Sequence, residues 1–230
     1  MIKLEHTDVF GWEAAIRGMR NPMNSWDKSD SGWVDFEDWD CGHGVPDGMG
    51  NAFVIGENDL KLMKSLSKAG DDHGKFLRMI TVTFDLTAPL YFYKEWDTYK
   101  VGTVANSCST MHKIHSKKFE LSDFSTEHLT DYTSEDGLYH FDWRSSMEDT
   151  IDDLNFAREL YIKTKDKRYW WQMIQLLPSS YNQKRTVQLN YQVLKSMYFA
   201  RRNHKLDEWR EFCKWCEELP YFKEICIQES

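Results

Sequence analysis

The sequence lacks several features that would have assigned it to a class at once. Its longest apolar runs are only a few residues, too short to span a bilayer, and the N-terminal MIKLEHTDVF has no charged leader followed by an apolar block. Internal repeats, a P-loop, a G-x-G-x-x-G fingerprint and a G-x-S-x-G elbow are all missing from the sequence. We therefore expect a cytoplasmic protein without membrane contacts, whose chemistry no common motif reveals.

Positive charge is in short supply as well. The chain has 29 lysines and arginines against 37 aspartates and glutamates, which gives a formal net charge of -8 at pH 7. Proteins that bind duplex nucleic acid usually present a basic face to the phosphates and release counterions there. We therefore expect no duplex nucleic acid partner.

Cysteines are few, and their pattern indicates reduced thiols. There are five, an odd number in a chain without an export signal. Cys213 and Cys216 have the spacing of a redox or metal pair, but they fall inside a helical pattern, whereas thioredoxin-type pairs lie at a strand-to-helix junction. Cys108, His112 and His115 would suit a metal if their segment were helical, but no fourth ligand is indicated. We expect no metal site.

The chain is long and apolar enough to bury one substantial core. It has 230 residues, of which 41% are hydrophobic and 15% aromatic. We expect a single domain over residues 1–230 with a long loop at about 19–51, which is rich in Gly, Asp, Ser and Trp and has no sustained period. Trp26, Trp33 and Trp39 in this loop either anchor it or stack on a planar ligand.

Regular elements follow on both sides of that loop. The segment RMITVTFDL places Ile80, Val82, Phe84 and Leu86 on one face at period two, which predicts a strand. Helical patterns run through LKLMKSLSKAG, APLYFYKEW and RYWWQMIQLL, and another begins near Ser146. The pattern after LPSSYNQ predicts a last long helix that continues to the EE of CKWCEE.

Two polar residues interrupt the apolar stripe of that last helix. Asn190, Leu194, Met197 and Arg201 are spaced at 0, 4, 7 and 11 and so fall on one face of a helix. Either the ends of the helix leave the core and reach solvent, or Arg201 presents its guanidinium to an anion in a cleft. The pattern alone leaves both interpretations open.

Two blocks of the sequence resemble the flavin-dependent thymidylate synthases. LPSSYNQKRTVQLNYQVLKSMYFAR, within residues 176 to 201, is similar to the family's C-terminal signature, in which a Leu-Pro dipeptide precedes an Asn and then an Arg. TVTFDLTAPLYFYKEWDTYKVGTVANSCST resembles the family's strand, helix and substrate loop in the same order. The likeness covers roughly residues 57 to 110 and 176 to 218.

The resemblance implies a fold, an activity and an assembly. The fold would be α/β (α+β), a mainly antiparallel sheet packed with long helices. The protein would be a homotetramer that holds FAD at subunit interfaces. It would transfer a one-carbon unit from methylenetetrahydrofolate to C5 of dUMP or a related pyrimidine nucleotide, with NADPH as reductant, as a thymidylate synthase-like methyltransferase. Such chemistry depends on positioning, so no single catalytic residue is assigned.

The resemblance also implies two groups of site residues. The nucleotide would be bound by Glu95, Asn106, Ser107, Ser109 and Arg201. The flavin would be bound by Thr98, Tyr99, Lys100, Thr103 and Asn190.

The sequence departs from the family where arginines are expected. Thr98, Tyr99 and Lys100 replace an Arg-His-Arg triplet, and Met111 and Ile174 stand at two further arginine positions. Each arginine lost removes a charge-assisted contact of about 1.5 to 3 kcal/mol. Backbone N–H groups and hydroxyls of the loop can still hold phosphate. The alternatives are a ligand-binding or assembly protein that has lost FAD chemistry, and an enzyme with a modified pyrimidine as substrate or product.

Overall fold

The computed structural model describes residues 2–35, 44–46 and 48–228. Strands in these ranges are β1 (Lys3–Phe10), β2 (Gly32–Asp35), β3 (Val45–Pro46), β4 (Asn51–Val54), β5 (Thr81–Pro89), β6 (Val104–Ser107), β7 (Asp131–Thr133), β8 (His140–Asp142) and β9 (Asn182–Asn190). Helices are α1 (Trp12–Arg20), α2 (Glu57–Lys68), α3 (Leu90–Trp96), α4 (Thr110–Lys113), α5 (Trp143–Thr164), α6 (Lys167–Leu176), α7 (Tyr191–Arg201) and α8 (Asp207–Glu218).

The strands form three sheets within the described residues. The largest has four strands in the order β1-β5-β9-β6. The second has the order β2-β4-β3 and is antiparallel throughout, and β7 and β8 form an antiparallel hairpin. Together with long helices such as the 22-residue α5, this architecture confirms the α/β prediction of antiparallel sheets packed with helices.

Strand β5 shows why the alternating pattern was a reliable signal. Val82, Phe84, Leu86 and Ala88 are all buried, while the residues between them are half-buried. Apolar side chains on one face of a strand exclude water from the core, and a shift of one residue would expose them all. The strand was therefore predicted correctly from its period.

Contacts divide the chain into two compact units. The first unit comprises Met1–Lys3, Leu86–Thr98 and Asn106–Arg185, and the second comprises Leu4–Asp85, Tyr99–Ala105 and Thr186–Ser230. A single domain over the whole chain stays a prediction.

The first unit has a core of its own around α5 and α6. Its buried apolar residues are Ile114, Phe119, Phe124, Ile151, Leu154, Ala157 and Met173. Asn155 is buried among them, and its amide exchanges two hydrogen bonds of 2.9 Å with the backbone N–H and C=O of Phe119. A buried amide is stabilising only when it is paired in this way.

The second unit contains a buried ion pair that organises the start of β2. Arg20 Nε donates to Asp59 Oδ1 at 2.6 Å, and both side chains are almost fully buried. Asp59 Oδ2 also accepts from the hydroxyls of Ser29 and Ser31, at 2.7 Å each. Burial raises the pKa of Asp59, but the hydrogen bonds from Ser31, Ser29 and Arg20 outweigh that effect and hold the pKa below its ordinary value.

The segment at 19–51 is more regular than the sequence predicted. In its described part it forms two 3-10 turns, Asn21–Met23 and Trp26–Lys28, and then β2 and β3, which pair with β4. Pairing between these strands satisfies their backbone hydrogen-bonding groups. The Gly- and Asp-rich composition of the segment gave no indication of this pairing. The prediction of a long loop without regular structure is corrected to this extent. Trp39 lies outside the described residues.

The last long helix was predicted wrongly. Residues 182–190 form strand β9, followed by two separate helices, α7 and α8. Gln183, Val187 and Leu189 are buried and are separated by four and two residues, multiples of the two-residue period of a strand. The sequence QKRTVQLN hides this period because polar and basic residues alternate with only two apolar ones. Helix α5 likewise begins at Trp143 with Asp142 as its cap, three residues before the predicted start.

Candidate functional site

The predicted site residues are shared between the two units. The first unit holds Glu95, Thr98, Asn106, Ser107 and Ser109. The second unit holds Tyr99, Lys100, Thr103, Asn190 and Arg201. Each set has its own geometry.

In the first unit, Thr98 and Glu95 lie at the end of α3. The Thr98 hydroxyl donates to the Glu95 carbonyl oxygen at 2.7 Å, and the Thr98 N–H reaches the same oxygen at 3.2 Å. The hydroxyl is therefore used to close the last turn of a helix. Because the Thr98 hydroxyl donates its proton within the helix, it can contact a ligand only as a hydrogen-bond acceptor.

The hydroxyl- and amide-rich stretch continues into β6 and α4. Asn106 and Ser107 are exposed on β6. Ser109 is the N-cap of α4, and its Oγ accepts from the backbone N–H of His112 at 3.0 Å. The segment predicted to line a site therefore exposes the amide of Asn106 and the hydroxyl of Ser107, while the hydroxyl of Ser109 caps a helical turn.

Ser109 also lines a cavity of about 300 Å³ in the first unit. Its walls include Lys113, Lys117 and Lys118, and Lys117 Nζ donates to Asp123 Oδ1 at 2.8 Å. Sequence reasoning missed these lysines, although the run HKIHSKK just after Ser109 signals local positive charge. These lysines place positive charge near Ser109, which was predicted to bind the nucleotide. In the family that the sequence resembles, an arginine is expected at the position of Met111.

In the second unit, Asn190 lies at the junction of β9 and α7. It is the N-cap of α7, and its Oδ1 accepts from the backbone N–H of Val193 at 3.1 Å. The carboxamide nitrogen remains oriented towards the turn at Gly102, where an added Cβ would come within 3.1 Å of Asn190 Nδ2. Gly102 has φ +75, so this turn requires glycine for both its conformation and its close approach. Asn190 was predicted to lie on one face within a longer helix. The structure places it at the start of α7, as the N-cap.

A small cleft of about 120 Å³ opens beside Asn190, and we call it the Asn190 cleft. Its lining residues come from three strands, a turn and the end of a 3-10 helix, and they are Arg78, Thr81, Gly102, Val104, Gln188, Leu189 and Asn190. This lining includes a guanidinium, two amides and a hydroxyl but no carboxylate. Such a donor-rich surface suits a ligand with several acceptor atoms.

Three residues of the Asn190 cleft were missed by sequence reasoning. Arg78 precedes β5, Thr81 is its first residue, and Gln188 lies two residues before Asn190 on β9. Because side chains at i and i+2 of a strand share a face, Gln188 could have been found once β9 was recognised as a strand. Arg78 could be found only from the pairing of β5 with β9, which the sequence does not reveal.

Next to the cleft, the hydroxyl of Thr103 is an unsatisfied polar group. Thr103 Oγ1 is buried and has no hydrogen-bond partner within the described part of the chain. Thr103 lies between Gly102 and Val104, both of which line the cleft. Its backbone N–H closes a turn on the Lys100 carbonyl oxygen at 3.5 Å, and Lys100 itself is exposed. Buried hydroxyls without a partner are rare, and one beside a cleft is a candidate ligand contact.

The predicted anion-binding arginine is held by aromatic rings. Arg201 Nε donates to the Tyr99 hydroxyl at 3.0 Å. The guanidinium carbon lies 5.6 Å from the ring centroid of Tyr99 and 5.0 Å from that of Trp209. The structure thus brings two predicted site residues, Tyr99 and Arg201, into direct contact, and Leu194 and Met197 on the same helix are buried. Cation–π contact orients Arg201 and partly satisfies its charge.

An arginine of the first unit is held in a similar way. Arg185 stacks on Tyr93 with 3.6 Å between its guanidinium carbon and the ring centroid, and its Nη1 donates to Asp97 Oδ1 at 2.6 Å. Burial raises the pKa of Tyr93, whose hydroxyl donates within the core to the backbone carbonyl of Leu86. This positive charge was not predicted to be functional and is already paired.

The cysteines of CKWC are structural. Cys213 and Cys216 are buried in α8. Burial raises the pKa of the Cys213 thiol to about 11 and raises that of Cys216 well above its ordinary value. A thiol with so high a pKa is a poor nucleophile at neutral pH.

Among residues 2–35, 44–46 and 48–228, no helix is both long and apolar enough to cross a membrane. The same residues contain no group of three or more His, Cys, Asp or Glu side chains that could hold a metal ion.

The fold is similar over its full length to that of solved thymidylate synthases. One is thymidylate synthase X (ThyX) from Helicobacter pylori with FAD and dUMP, which has a TM-score of 0.66 and 15% identity over 99% of this chain and 98% of that chain. A second structure of the flavin-dependent ThyX from the same organism, complexed with FAD and dUMP, has a TM-score of 0.63 and 16% identity over 99% and 97%. No family model and no curated protein matches the sequence. At such low identity the likeness shows the fold alone: this chain has the fold of the ThyX structures.

Proposed function

We propose that this protein is a divergent flavin-dependent thymidylate synthase-like enzyme that binds FAD and a pyrimidine nucleotide. The observation that carries the proposal is the Asn190 cleft. It combines Arg78, Thr81, Gln188 and Asn190 and has no carboxylate in its lining, and the buried Thr103 hydroxyl lies in the adjoining turn. These donors lie around the one asparagine that the C-terminal resemblance assigns to the flavin.

The cleft fits one edge of a flavin ring and not the whole cofactor. The flavin ring presents carbonyl oxygens and ring nitrogens as acceptors, which the amide, hydroxyl and guanidinium donors of the cleft can satisfy. The volume of about 120 Å³ is far below the 300 to 1,000 Å³ of typical ligand sites. We therefore propose that other copies of the chain supply the remaining walls, as in the homotetramer that the resemblance implies. Light scattering of the purified protein measures that assembly.

The reaction assigned to this site is the transfer of a one-carbon unit to C5 of dUMP or a related nucleotide. When bound, reduced flavin supplies the hydride that converts the transferred methylene group into a methyl group, while the nucleotide loses its C5 proton and methylenetetrahydrofolate provides the carbon. Arg78, Gln188, Asn190 and Thr103 hold and orient the ring edge. Lys100 provides positive charge near the flavin, and NADPH is the proposed reductant.

Fewer structural observations support binding of the nucleotide than binding of the flavin. Arg201 is the proposed phosphate contact, but its guanidinium already contacts Tyr99 and Trp209. Glu95, Asn106, Ser107 and Ser109 are proposed to address the base and ribose through hydrogen bonds. The lysines near Ser109 add positive charge to the first unit and offset part of the arginine loss.

A second candidate is a ligand-binding or assembly protein that keeps the fold without flavin chemistry. The specific observation in its favour is the engagement of the retained arginine, Arg201, by two aromatic rings while Met111 and Ile174 occupy two arginine positions of the family. Such a protein would bind a nucleotide weakly or take another ligand.

Turnover separates the two candidates. The purified protein is supplied with FAD, NADPH, methylenetetrahydrofolate and dUMP, and dTMP is measured by chromatography. We expect dTMP to accumulate with time and to depend on each addition. Uptake of FAD without dTMP would favour a changed substrate, and the assay is then repeated with other pyrimidine nucleotides. Failure to take up FAD at all would contradict the proposal and favour the binding protein.

A further inference from the structure

A cavity in the second unit lies away from the Asn190 cleft. Its volume is about 780 Å³, within the range of small-molecule sites. Segments far apart in the sequence form its walls: the end of β1 and start of α1, Trp33 on β2, Val45 and Pro46 on β3, Phe53 on β4, and Trp215 with residues 218–220. We call it the aromatic cavity because five of its lining residues are Phe10, Trp12, Trp33, Phe53 and Trp215.

Two of these aromatic rings are exposed to an unusual degree for their size. Phe10 is 49% exposed and Trp33 is 50% exposed. Trp33 is held edge-on against Phe53, with 5.3 Å between the ring centroids, and Trp215 Nε1 donates to Thr7 Oγ1 at 3.3 Å. The rings are thus fixed by packing and hydrogen bonding while parts of them face the cavity. Pre-positioned aromatic surface of this kind is typical of a ligand site.

The charged residues of the cavity are mostly acidic. Asp8, Glu13 and Glu218 line it, against a single base, Arg17. All four are exposed, and none of the three carboxylates has an ion pair or hydrogen bond within the described ranges. Carboxylates beside low-dielectric aromatic walls attract cations more strongly than carboxylates surrounded by water.

One buried donor in the same wall has no partner. Trp12 is only 4% exposed, and its indole N–H makes no hydrogen bond to any described residue. The indole ring packs edge-on against Tyr191 and Tyr221 with centroid distances of 5.5 and 5.7 Å, which fixes its orientation. A buried indole N–H usually finds an acceptor, but the Trp12 nitrogen is covered by protein atoms, so a ligand oxygen would reach it only with a shift of the wall.

We infer that the aromatic cavity binds a small organic cation with an apolar or aromatic body. The ammonium group is attracted by Asp8, Glu13 and Glu218 and lies against the face of Trp33 or Phe10. Attraction between a cation and an aromatic face adds to the carboxylate attraction and favours quaternary or alkylated ammonium groups. The lining of the aromatic cavity shares no residue with that of the Asn190 cleft.

The test uses choline phenyl ether as probe, since it joins a permanent cation, an ether oxygen and a phenyl ring. The full chain is titrated with this probe, and binding is followed by tryptophan fluorescence and by saturation-transfer NMR. Its neutral isostere, (3,3-dimethylbutoxy)benzene, has the same shape without the charge, and phenoxyacetate has the opposite charge. We expect saturable binding of the cation that is about tenfold tighter than that of the isostere, with no detectable binding of phenoxyacetate.

Variants assign the binding to the cavity. Trp33→Ala and the triple variant Asp8→Asn, Glu13→Gln, Glu218→Gln are each expected to weaken the cation about tenfold. Matched controls in the first unit are Trp171→Ala, Asp152→Asn and Glu159→Gln, which replace exposed residues and should leave binding unchanged. Glu13→Gln alone serves if the triple variant does not fold, as judged by circular dichroism.

Three results would overturn the inference. The first is absence of saturable binding, and the second is equal affinity for the cation and its neutral isostere. The third is equal loss of affinity in the control variants and the cavity variants, which would place the bound cation elsewhere on an acidic surface.

Discussion

The Asn190 cleft and the aromatic cavity lie in the same unit and have opposite chemistry. The cleft has donors and a guanidinium and no carboxylate, whereas the cavity has three carboxylates and five aromatic rings around one arginine. The cleft occupies the place where the sequence resembles a known family, and the cavity is built largely from segments outside that resemblance. The comparison teaches that one unit can carry two concave surfaces of opposite charge character, so the fold alone does not decide what either surface binds.

The largest expected effect on stability comes from disrupting the buried ion pair between Arg20 and Asp59, which organises the start of β2 beside the aromatic cavity. Asp59→Asn leaves Arg20 buried without its partner and weakens the hydrogen bonds that hold Ser29 and Ser31 at the entrance to β2. We expect the free energy of unfolding to fall by about 3 to 5 kcal/mol, measured by urea denaturation. Asp152→Asn, at an exposed position, is the control and should change it by less than about 0.5 kcal/mol.

The same carboxylate predicts a pH dependence with a definite sign. The folded-state pKa of Asp59 lies below its ordinary value of 3.8, so its stabilising contribution is fully present above that pH. As pH falls below 3.8 towards the folded-state pKa, the unfolded state binds the proton first and the contribution is lost. Asp59→Asn should remove this component of the acid-induced loss of stability. An identical acid slope in both proteins would contradict the assignment.

The next prediction tests whether Arg78 in the Asn190 cleft contacts the flavin. Arg78→Ala removes the only guanidinium in the lining of the Asn190 cleft. If Arg78 contacts a flavin acceptor, its loss costs about 1.5 to 3 kcal/mol, which corresponds to a Kd for FAD that is roughly 10- to 150-fold higher. Equilibrium titration with FAD measures it, and Arg168→Ala on the exposed surface of α6 is the control. An unchanged Kd in Arg78→Ala would remove Arg78 from the site.

Substitution of one glycine in each region compares how strongly the backbone there requires glycine. Gly11 lines the aromatic cavity at φ +97, and a Cβ there would overlap the Met79 carbonyl oxygen, whereas Gly102 has φ +75 and more room beside Asn190. We expect Gly11→Ala to lower the free energy of unfolding by at least about 1 to 3 kcal/mol and Gly102→Ala by about 1 to 2 kcal/mol. Gly70→Ala, with φ +107 and open space, isolates the conformational cost. The expectation fails if Gly11→Ala costs no more than Gly70→Ala.

The smallest effect on stability separates the two roles of Asn190. Asn190→Ala removes the cap of α7 and should cost about 1 kcal/mol. Asn190→Asp keeps an acceptor for the Val193 N–H, so stability should stay close to that of the native protein, but it places a negative charge in a cleft without carboxylates. Thermal unfolding and FAD titration of both variants distinguish cap from ligand contact. Equal FAD affinity in native protein and Asn190→Asp would show that the side chain acts only as a cap.

Parts of the fold were predictable because single segments encode them. The alternation through Val82, Phe84 and Leu86 fixes β5 without reference to any other element. Strand β9 was missed because Gln183 is buried at a core-facing position, where its Nε2 donates to the Cys108 carbonyl oxygen at 2.9 Å. That partner lies 75 positions away and cannot be read from the local pattern.

The candidate sites show the same limit. Asn190 and Arg201 were found because they belong to one continuous block, and the structure places them at the two ends of α7. Arg78 and Gln188 were missed because they meet Asn190 only through strand pairing. The aromatic cavity was not predicted at all, since Phe10, Trp33 and Trp215 come from three separate stretches of the chain. Only Trp33 had been considered as a ring that could stack on a ligand.

The absorbance spectrum of the protein in the presence of FAD tests the central claim most directly. Native protein and Asn190→Asp are each mixed with excess FAD, freed of unbound cofactor and examined between 300 and 550 nm, followed by titration with dUMP. We predict a bound flavin spectrum in the native protein that dUMP perturbs, and a marked loss of bound flavin in Asn190→Asp. A colourless native protein after removal of free FAD would contradict the account of the Asn190 cleft.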